Sequence, residues 1–170
     1  IGLGEIAVVV IWGPLMVAGG YFVITGRWDW NVAIASLPYA LGPTTVLFGK
    51  HIDKLEQDRA KGIHTLPVIL GEKAARYGVL VMVALMYLLV GYLIIIGYFT
   101  PLMALVLIGL TTVPVLWAFY KNPKPKVKPA DLPEGIWPLY FSAASFAHNR
   151  RYGTFLLLGL ILEWVMRAIR

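Results

Sequence analysis

The sequence predicts an all-α protein, a polytopic bundle of helices that span a membrane. Of its 170 residues, 59% are hydrophobic and only 14% are charged, whereas charged residues make up about 25% of a soluble domain. The apolar residues fall into runs of about the 20 residues that a helix needs to cross a bilayer. These runs predict five spanning helices within a single transmembrane domain, at Ile6–Thr25, Asn31–Gly49, Ala74–Gly97, Leu102–Tyr120 and Thr154–Ile169.

The breaks between the runs have local causes. Residues 26–30 form a short polar turn with two Trp, which favour the lipid–water interface. Residues 97–101 form a tight turn whose Pro101 suits the first position of the next helix. Residues 121–129 alternate Pro and Lys and cannot be helical. The lysines of this linker, Lys124 among them, are expected to meet anionic lipid headgroups.

The segment before the last run is aromatic and too short to span. We expect Trp137–His148 to lie in the interface as a short helix that leads into Arg150 and Arg151. Residues 121–151 are therefore predicted to form a linker and an interfacial helix on one side of the membrane.

The distribution of charge predicts an orientation. If the five helices alternate, nearly all Lys and Arg residues fall on the side that holds residues 50–73 and 121–151. Cytoplasmic loops carry this excess, so that side is predicted to face the cytoplasm, in a prokaryotic plasma membrane. The net charge of +6 does not indicate nucleic-acid binding, because the basic residues sit between apolar runs. With no cysteine, disulfides and thiolate metal sites are excluded.

The stretch from Lys50 to Lys73 is the unusual feature of this apolar chain. Asp53, Glu56 and Asp58 lie within six residues, among five bases and two histidines. Clustered carboxylates suit Mg²⁺, and nearby bases can neutralise a diphosphate. The alternative is a solvated loop with local ion pairs, which contribute only about 0.3–0.5 kcal/mol each.

Helical geometry limits how these acids can act together. At 100° per residue, Asp53 and Glu56 share a face and Asp58 points away from both. The three converge only if the helix ends near Glu56. Elsewhere, Glu163 is expected to pair with Arg167 at i+4, and Glu5 is expected to complement a helix dipole.

Residues Asp58–Val68, read as D-R-A-K-G-I-H-T-L-P-V, resemble the second aspartate-rich motif of the UbiA superfamily of intramembrane prenyltransferases. That motif is roughly N-x-x-x-D-x-x-x-D-x-x-x-G-x-x-T-L-P/A-V. Weaker segments resemble the 1,4-dihydroxy-2-naphthoate prenyltransferase (MenA-like) branch: residues 2–5, Gly13-Pro14 with residues 20–26, and residues 148–151. The family fold has nine transmembrane helices, of which these five would be the last, so the N-terminal helices would be missing from this chain.

The resemblance implies a reaction, a cofactor and a set of site residues. The family transfers an isoprenyl group from a prenyl diphosphate to an aromatic acceptor, a quinone precursor or a pigment, with Mg²⁺. The implied catalytic and metal-binding residues are Asp53, Glu56 and Asp58. The implied substrate-binding residues are Lys54, Arg59, Lys61, His64 and Arg150.

The chain also departs from the family pattern. Lys50 stands at the position of the motif's Asn and Lys54 at that of its earlier Asp. A lysine at a metal-ligand position repels Mg²⁺ unless the neighbouring Asp53 replaces the missing ligand. These departures keep an alternative open, a non-catalytic UbiA-like subunit of a larger membrane complex.

Overall fold

The computed structural model describes residues 2–130 and 132–169, and it confirms the all-α prediction with five long helices. Each of these helices is long and apolar enough to cross a membrane. In chain order the elements are α1 (Gly4–Thr25), α2 (Trp30–Asp53), α3 (Leu55–Ala60), α4 (Leu66–Leu70), α5 (Glu72–Ile95), α6 (Pro101–Tyr120) and α7 (Tyr140–Ile169).

The long helices run antiparallel to their neighbours around α2. More than half of the most apolar stretch of α2 is buried (56%), against 11–28% for the other four, so α2 is the central helix. Glu5 of α1 reaches His51 near the end of α2, and Asp53 reaches the start of α7. One end of the bundle, here called the site end, therefore holds the start of α1, α5 and α7 and the end of α2 and α6.

Helix α2 packs closely against α7 because glycines face it. A Cβ atom on Gly49 would lie 2.8 Å from the backbone nitrogen of Ser142 and 2.8 Å from the Tyr120 hydroxyl. A Cβ on Gly42 would overlap the side chain of Asn149. Small residues of this kind let the backbones of membrane helices approach each other.

A buried polar cluster links α5, α6 and α7 in the middle of the bundle. His148 is 1% exposed, and its Nδ1 lies 2.7 Å from the Thr112 hydroxyl. The rings of Tyr87 and Tyr152 pack edge to face with centroids 5.2 Å apart. Thr112 thus supplies the short polar contact that this buried imidazole needs.

The prediction of a separate short helix before the last span is wrong, whereas its interfacial position stays a prediction. Helix α7 is a single helix of 30 residues, about 45 Å long. It contains residues 140–148 of the predicted short helix and the whole of the predicted fifth span. The Asn149-Arg150-Arg151 sequence indicated a boundary, but no proline or unpaired turn interrupts the helix there. His148 and Tyr152, which flank the arginines, are both buried against neighbouring helices.

Candidate functional site

The segment between α2 and α5 lies at the site end and carries the family motif. Helix α2 ends at Lys54, where φ is −106° and ψ is 9°. Helix α3 follows directly and ends at Ala60, and the turn that closes it contains Gly62, which has φ +66°. There the N–H of Gly62 donates to Arg59 O and the N–H of Ile63 donates to Asp58 O. This is a Schellman ending, so the D-x-x-x-G spacing of the motif has a structural reason: the glycine takes the left-handed conformation that closes α3.

Asp53 is buried and its carboxylate is fully engaged. The N–H groups of Phe141 and Ser142 donate to its Oδ1 and Oδ2 at 3.1 and 3.0 Å. The Lys124 ammonium lies 3.1 Å from Oδ1, and it also donates to the carbonyl of Pro138. Asp53 thus accepts hydrogen bonds from the start of α7, where free N–H groups favour an anion.

The linker lysine at this junction contacts the protein, not lipid headgroups as the sequence analysis expected. The Lys124 side chain is 21% exposed, and Asp53, its ion-pair partner, is 1% exposed. Its ammonium also lies 5.0 Å from the centroid of the Trp137 ring. The expectation fails because the partners of Lys124 lie far away in the chain.

The other two predicted metal ligands, Glu56 and Asp58, point in different directions. The Glu56 side chain is 80% exposed and pairs with Arg59 at 2.9 Å, one turn along α3. Asp58 is half-buried on the side of α3 that carries the buried Leu55. Within the described residues, the Asp58 carboxylate makes no hydrogen bond or ion pair, so it is available to a ligand.

The structure does not bring Asp53, Glu56 and Asp58 together. Among residues 2–130 and 132–169, no group of three His, Cys, Asp or Glu side chains is arranged to hold a metal ion. The helix does end near Glu56, as convergence required, but Asp53 turns toward α7 and Glu56 toward the outside. The residues present therefore do not form a complete Mg²⁺ site by themselves, and the metal role of each remains a prediction.

The predicted substrate-binding bases fall in two places. Lys54, Arg59, Lys61 and His64 are all exposed at the site end, around α3 and its C-terminal turn. Arg150 is also exposed, but it lies ten residues into α7, about 15 Å along the helix from Tyr140. Its neighbour in sequence, Asn149, faces Gly42, which is near the middle of α2. Arg150 is therefore at mid-depth in the bundle and not in a loop.

A buried acid near the start of the chain also belongs to this region. Glu5 is 2% exposed, and its Oε1 accepts hydrogen bonds from His51 Nδ1 at 2.7 Å and from the backbone N–H of Leu66 at 3.1 Å. The sequence analysis assigned Glu5 only to a helix dipole. Its place at the same predicted end as the charged stretch was the one signal that could have linked them.

Comparisons with known proteins agree with the resemblance. A 75-residue part of the chain is 29% identical to the Drosophila melanogaster "UbiA prenyltransferase domain-containing protein 1 homolog", covering 44% of this chain and 21% of the relative. Over 89 residues it is 29% identical to the Synechocystis "2-carboxy-1,4-naphthoquinone phytyltransferase", covering 52% and 29%. Over 71 residues it is 31% identical to the mouse "UbiA prenyltransferase domain-containing protein 1", covering 42% and 21%.

The chain thus spans less than a third of the length of these curated relatives. No solved structure matches it. The family comparison covers most of the chain, since residues 1–131 match the UbiA prenyltransferase family. This match includes α1 to α6 and the whole Asp58–Val68 motif. The chain belongs to the UbiA prenyltransferase family.

Proposed function

We propose that this chain carries part of the active site of a membrane prenyltransferase, which transfers an isoprenyl group from a prenyl diphosphate to an aromatic acceptor. The observation that carries the proposal is the family motif at the site end, where Asp58 has no partner within the described residues and exposed bases lie on the same segment. The name of the Synechocystis relative suggests a naphthoquinone-type acceptor.

The reaction divides into a cleavage and an addition. The bond between the allylic carbon and the diphosphate oxygen breaks, and the diphosphate leaves with the electron pair. A ring carbon of the acceptor then forms a bond to the allylic cation, and the ring loses a proton. In this proposal, Lys54, Arg59, Lys61 and His64, which lie on the same segment as Asp58, stabilise the negative charge that develops on the leaving group.

We also propose that the reaction requires Mg²⁺ and that Asp58 is a ligand of the ion. Bound Mg²⁺ would neutralise the diphosphate charge and favour its departure. Since Asp53 is engaged with α7 and Glu56 faces outward, Asp58 is the carboxylate of the stretch that is free to bind it. Further ligands would have to come from the diphosphate, from water or from outside the described residues.

Turnover by the purified full-length protein tests both proposals. With Mg²⁺, a prenyl diphosphate and a panel of aromatic acceptors, the protein should release diphosphate and form a prenylated product, and chelation should stop it. Asp58→Asn should raise the Mg²⁺ concentration for half-maximal turnover at least about tenfold, which corresponds to one lost ligand interaction. Glu56→Gln is the control and should change it little. A folded protein that turns over no acceptor of a broad panel would refute the function.

The site end is proposed to face the cytoplasm, since most Lys and Arg residues outside the middle of α7 lie there. The given sequence contains no cysteine, so Lys61→Cys adds one label site to it, and any cysteine elsewhere in the full-length protein is first replaced by serine. An impermeant maleimide should label it in inverted vesicles and not in intact cells. Labelling from the outside of intact cells would reverse the proposed orientation.

A further inference from the structure

Glu5 connects two parts of the chain that lie on either side of the candidate site. Its Oε1 atom accepts from His51, which precedes the end of α2, and from Leu66, which begins α4. The residues between these two partners include Asp53, Lys54, Glu56, Asp58, Arg59, Lys61 and His64, which are all the predicted site residues except Arg150. A single buried oxygen atom therefore holds both ends of the segment that carries the family motif.

We propose that Glu5 is a positioning residue that fixes this segment, residues 52–65, in the conformation that binds the prenyl diphosphate. The identity of the ligand rests on the proposed function. The contacts of Glu5 are observed in the structure and do not depend on that function. We call the three-residue arrangement of Glu5, His51 and Leu66 the Glu5 clasp.

The start of α4 shows why the clasp is needed. The N-cap residue Thr65 makes no side-chain hydrogen bond to the helix, and its buried hydroxyl has no partner among the described residues. The first N–H groups of a helix need acceptors from elsewhere. Glu5 supplies one for Leu66, so an acid from α1 replaces the local cap that the sequence would normally provide.

Packing around α1 supports the same contact. Gly2 adopts φ +66°, and a Cβ there would lie 2.6 Å from the Ile69 side chain and 3.5 Å from the backbone of Leu66. The chain just before α1 thus lies directly against α4, and Glu5 adds a polar contact to this apolar one. The clasp also fixes the orientation of the imidazole, because His51 Nδ1 donates to Glu5. The His51 side chain is 19% exposed.

A matched control exists at the other end of the bundle. Glu163 is 5% exposed, its Oε2 accepts from the N–H of Thr100 at the start of α6, and its Oε1 pairs with Arg167 at 2.6 Å. Glu5 and Glu163 are therefore both buried carboxylates that hold a helix start and a basic side chain. Only Glu5 contacts the ends of the motif segment.

Trypsin provides a test that does not depend on activity, because the segment contains Lys54, Arg59 and Lys61 as cleavage sites. The full-length protein in detergent or nanodiscs is cleaved under native conditions, and the KM for the prenyl diphosphate and kcat are measured in parallel. Releasing the clasp in Glu5→Ala should speed cleavage within the segment about tenfold. It should also raise KM at least about fivefold with a smaller change in kcat.

Two further variants keep the test decisive if Glu5→Ala does not fold. Glu5→Gln retains an oxygen that can accept from both partners and should stay near wild type in cleavage and KM. Glu5→Asp is shorter by one methylene and should lie between wild type and Glu5→Ala. Glu163→Ala should lower thermal stability without changing cleavage of the segment or KM.

Unchanged cleavage in both Glu5→Ala and Glu5→Asp would overturn the clasp, and so would an equal increase in Glu163→Ala. Faster cleavage in Glu5→Ala with an unchanged KM would overturn the positioning role. If the wild-type protein transfers no prenyl group at all, the proposed function fails, and the cleavage rates alone decide whether Glu5 holds the segment.

Discussion

Replacing Asp53 by alanine separates the two roles that this acid could have. In the structure its carboxylate holds the start of α7 through two backbone N–H groups and pairs with Lys124. A lost helix cap costs about 1 kcal/mol per contact. The lysine is 21% exposed, so its pair contributes less than a fully buried one, and about 1 kcal/mol is a reasonable value.

The sum is about 3 kcal/mol for Asp53→Ala, from two capping contacts and one partly screened ion pair. For a domain of this size each kcal/mol lowers Tm by about 2–4 °C, so a decrease of about 6–12 °C is expected. Asp53→Asn keeps one acceptor oxygen and should lose about half as much. Thermal unfolding of the purified full-length protein in detergent, followed by tryptophan fluorescence, measures the shift.

The opposite result would restore the metal role that the sequence predicted for Asp53. If Asp53→Ala keeps the wild-type Tm but loses Mg²⁺-dependent turnover, the carboxylate serves the metal and the capping argument fails. Glu56→Ala is the control, since its side chain is 80% exposed and its only pair is with Arg59 on the same helix. Its Tm should not change measurably.

Three more predictions concern other parts of the bundle. Gly49→Ala should destabilise the protein by about 1–3 kcal/mol, because the new methyl meets backbone atoms of α7. Gly20→Ala is the control, since a Cβ there has no atom within 4 Å. An equal loss of stability in Gly20→Ala would contradict the packing argument. Thr112→Val should lower the free energy of unfolding by about 1–2 kcal/mol, since it leaves the buried imidazole nitrogen without its 2.7 Å partner, and an unchanged denaturation midpoint would refute this. Arg150→Gln should lower kcat/KM about tenfold if its guanidinium binds substrate, and an equal effect of Arg151→Gln would indicate a general loss of charge instead.

The sequence predicted the spans well because the bilayer sets their length. Four of the five helices lie within a few residues of their predicted bounds. The Glu163–Arg167 pair is also confirmed at 2.6 Å, since partners four residues apart on one helix face each other whatever the tertiary structure. Properties that depend on helix length or on one helical turn can be predicted from the sequence.

Contacts between distant residues could not be predicted in the same way. Asp53 meets Ser142 across 89 residues of chain and Lys124 across 71, and a single sequence gives no signal for either. The same is true of Glu5 and Leu66, which are 61 residues apart. The start of α7 was misjudged for a different reason: charged residues usually mark the end of a span, whereas here Arg150 and Arg151 lie ten residues into a continuous helix.

The acids of the described residues differ in the contacts that they make. Three carboxylates cap helices from a distance: Glu5 holds the start of α4, Asp53 that of α7 and Glu163 that of α6. The first N–H groups of a membrane helix have no partner within the helix, and they meet no water unless they reach the surface. These three acids accept hydrogen bonds from such N–H groups and so have a structural role. Two more acids have local partners, Asp29 with the N–H of Asn31 and Glu72 with Arg76.

Few acids of the described residues neither cap a helix nor pair with a nearby group. Asp131 lies outside the described residues, Glu134 is exposed in the linker, and Glu56 is held only by a surface pair. Asp58 is the one half-buried acid of the described residues without a hydrogen bond or ion pair, and it begins the family motif. Its carboxylate gives the fold no stabilising contact among the described residues, since an unpaired, partly desolvated charge lowers stability. The proposed binding of a metal–diphosphate complex would give this carboxylate a partner, and the Mg²⁺ dependence of Asp58→Asn tests that role.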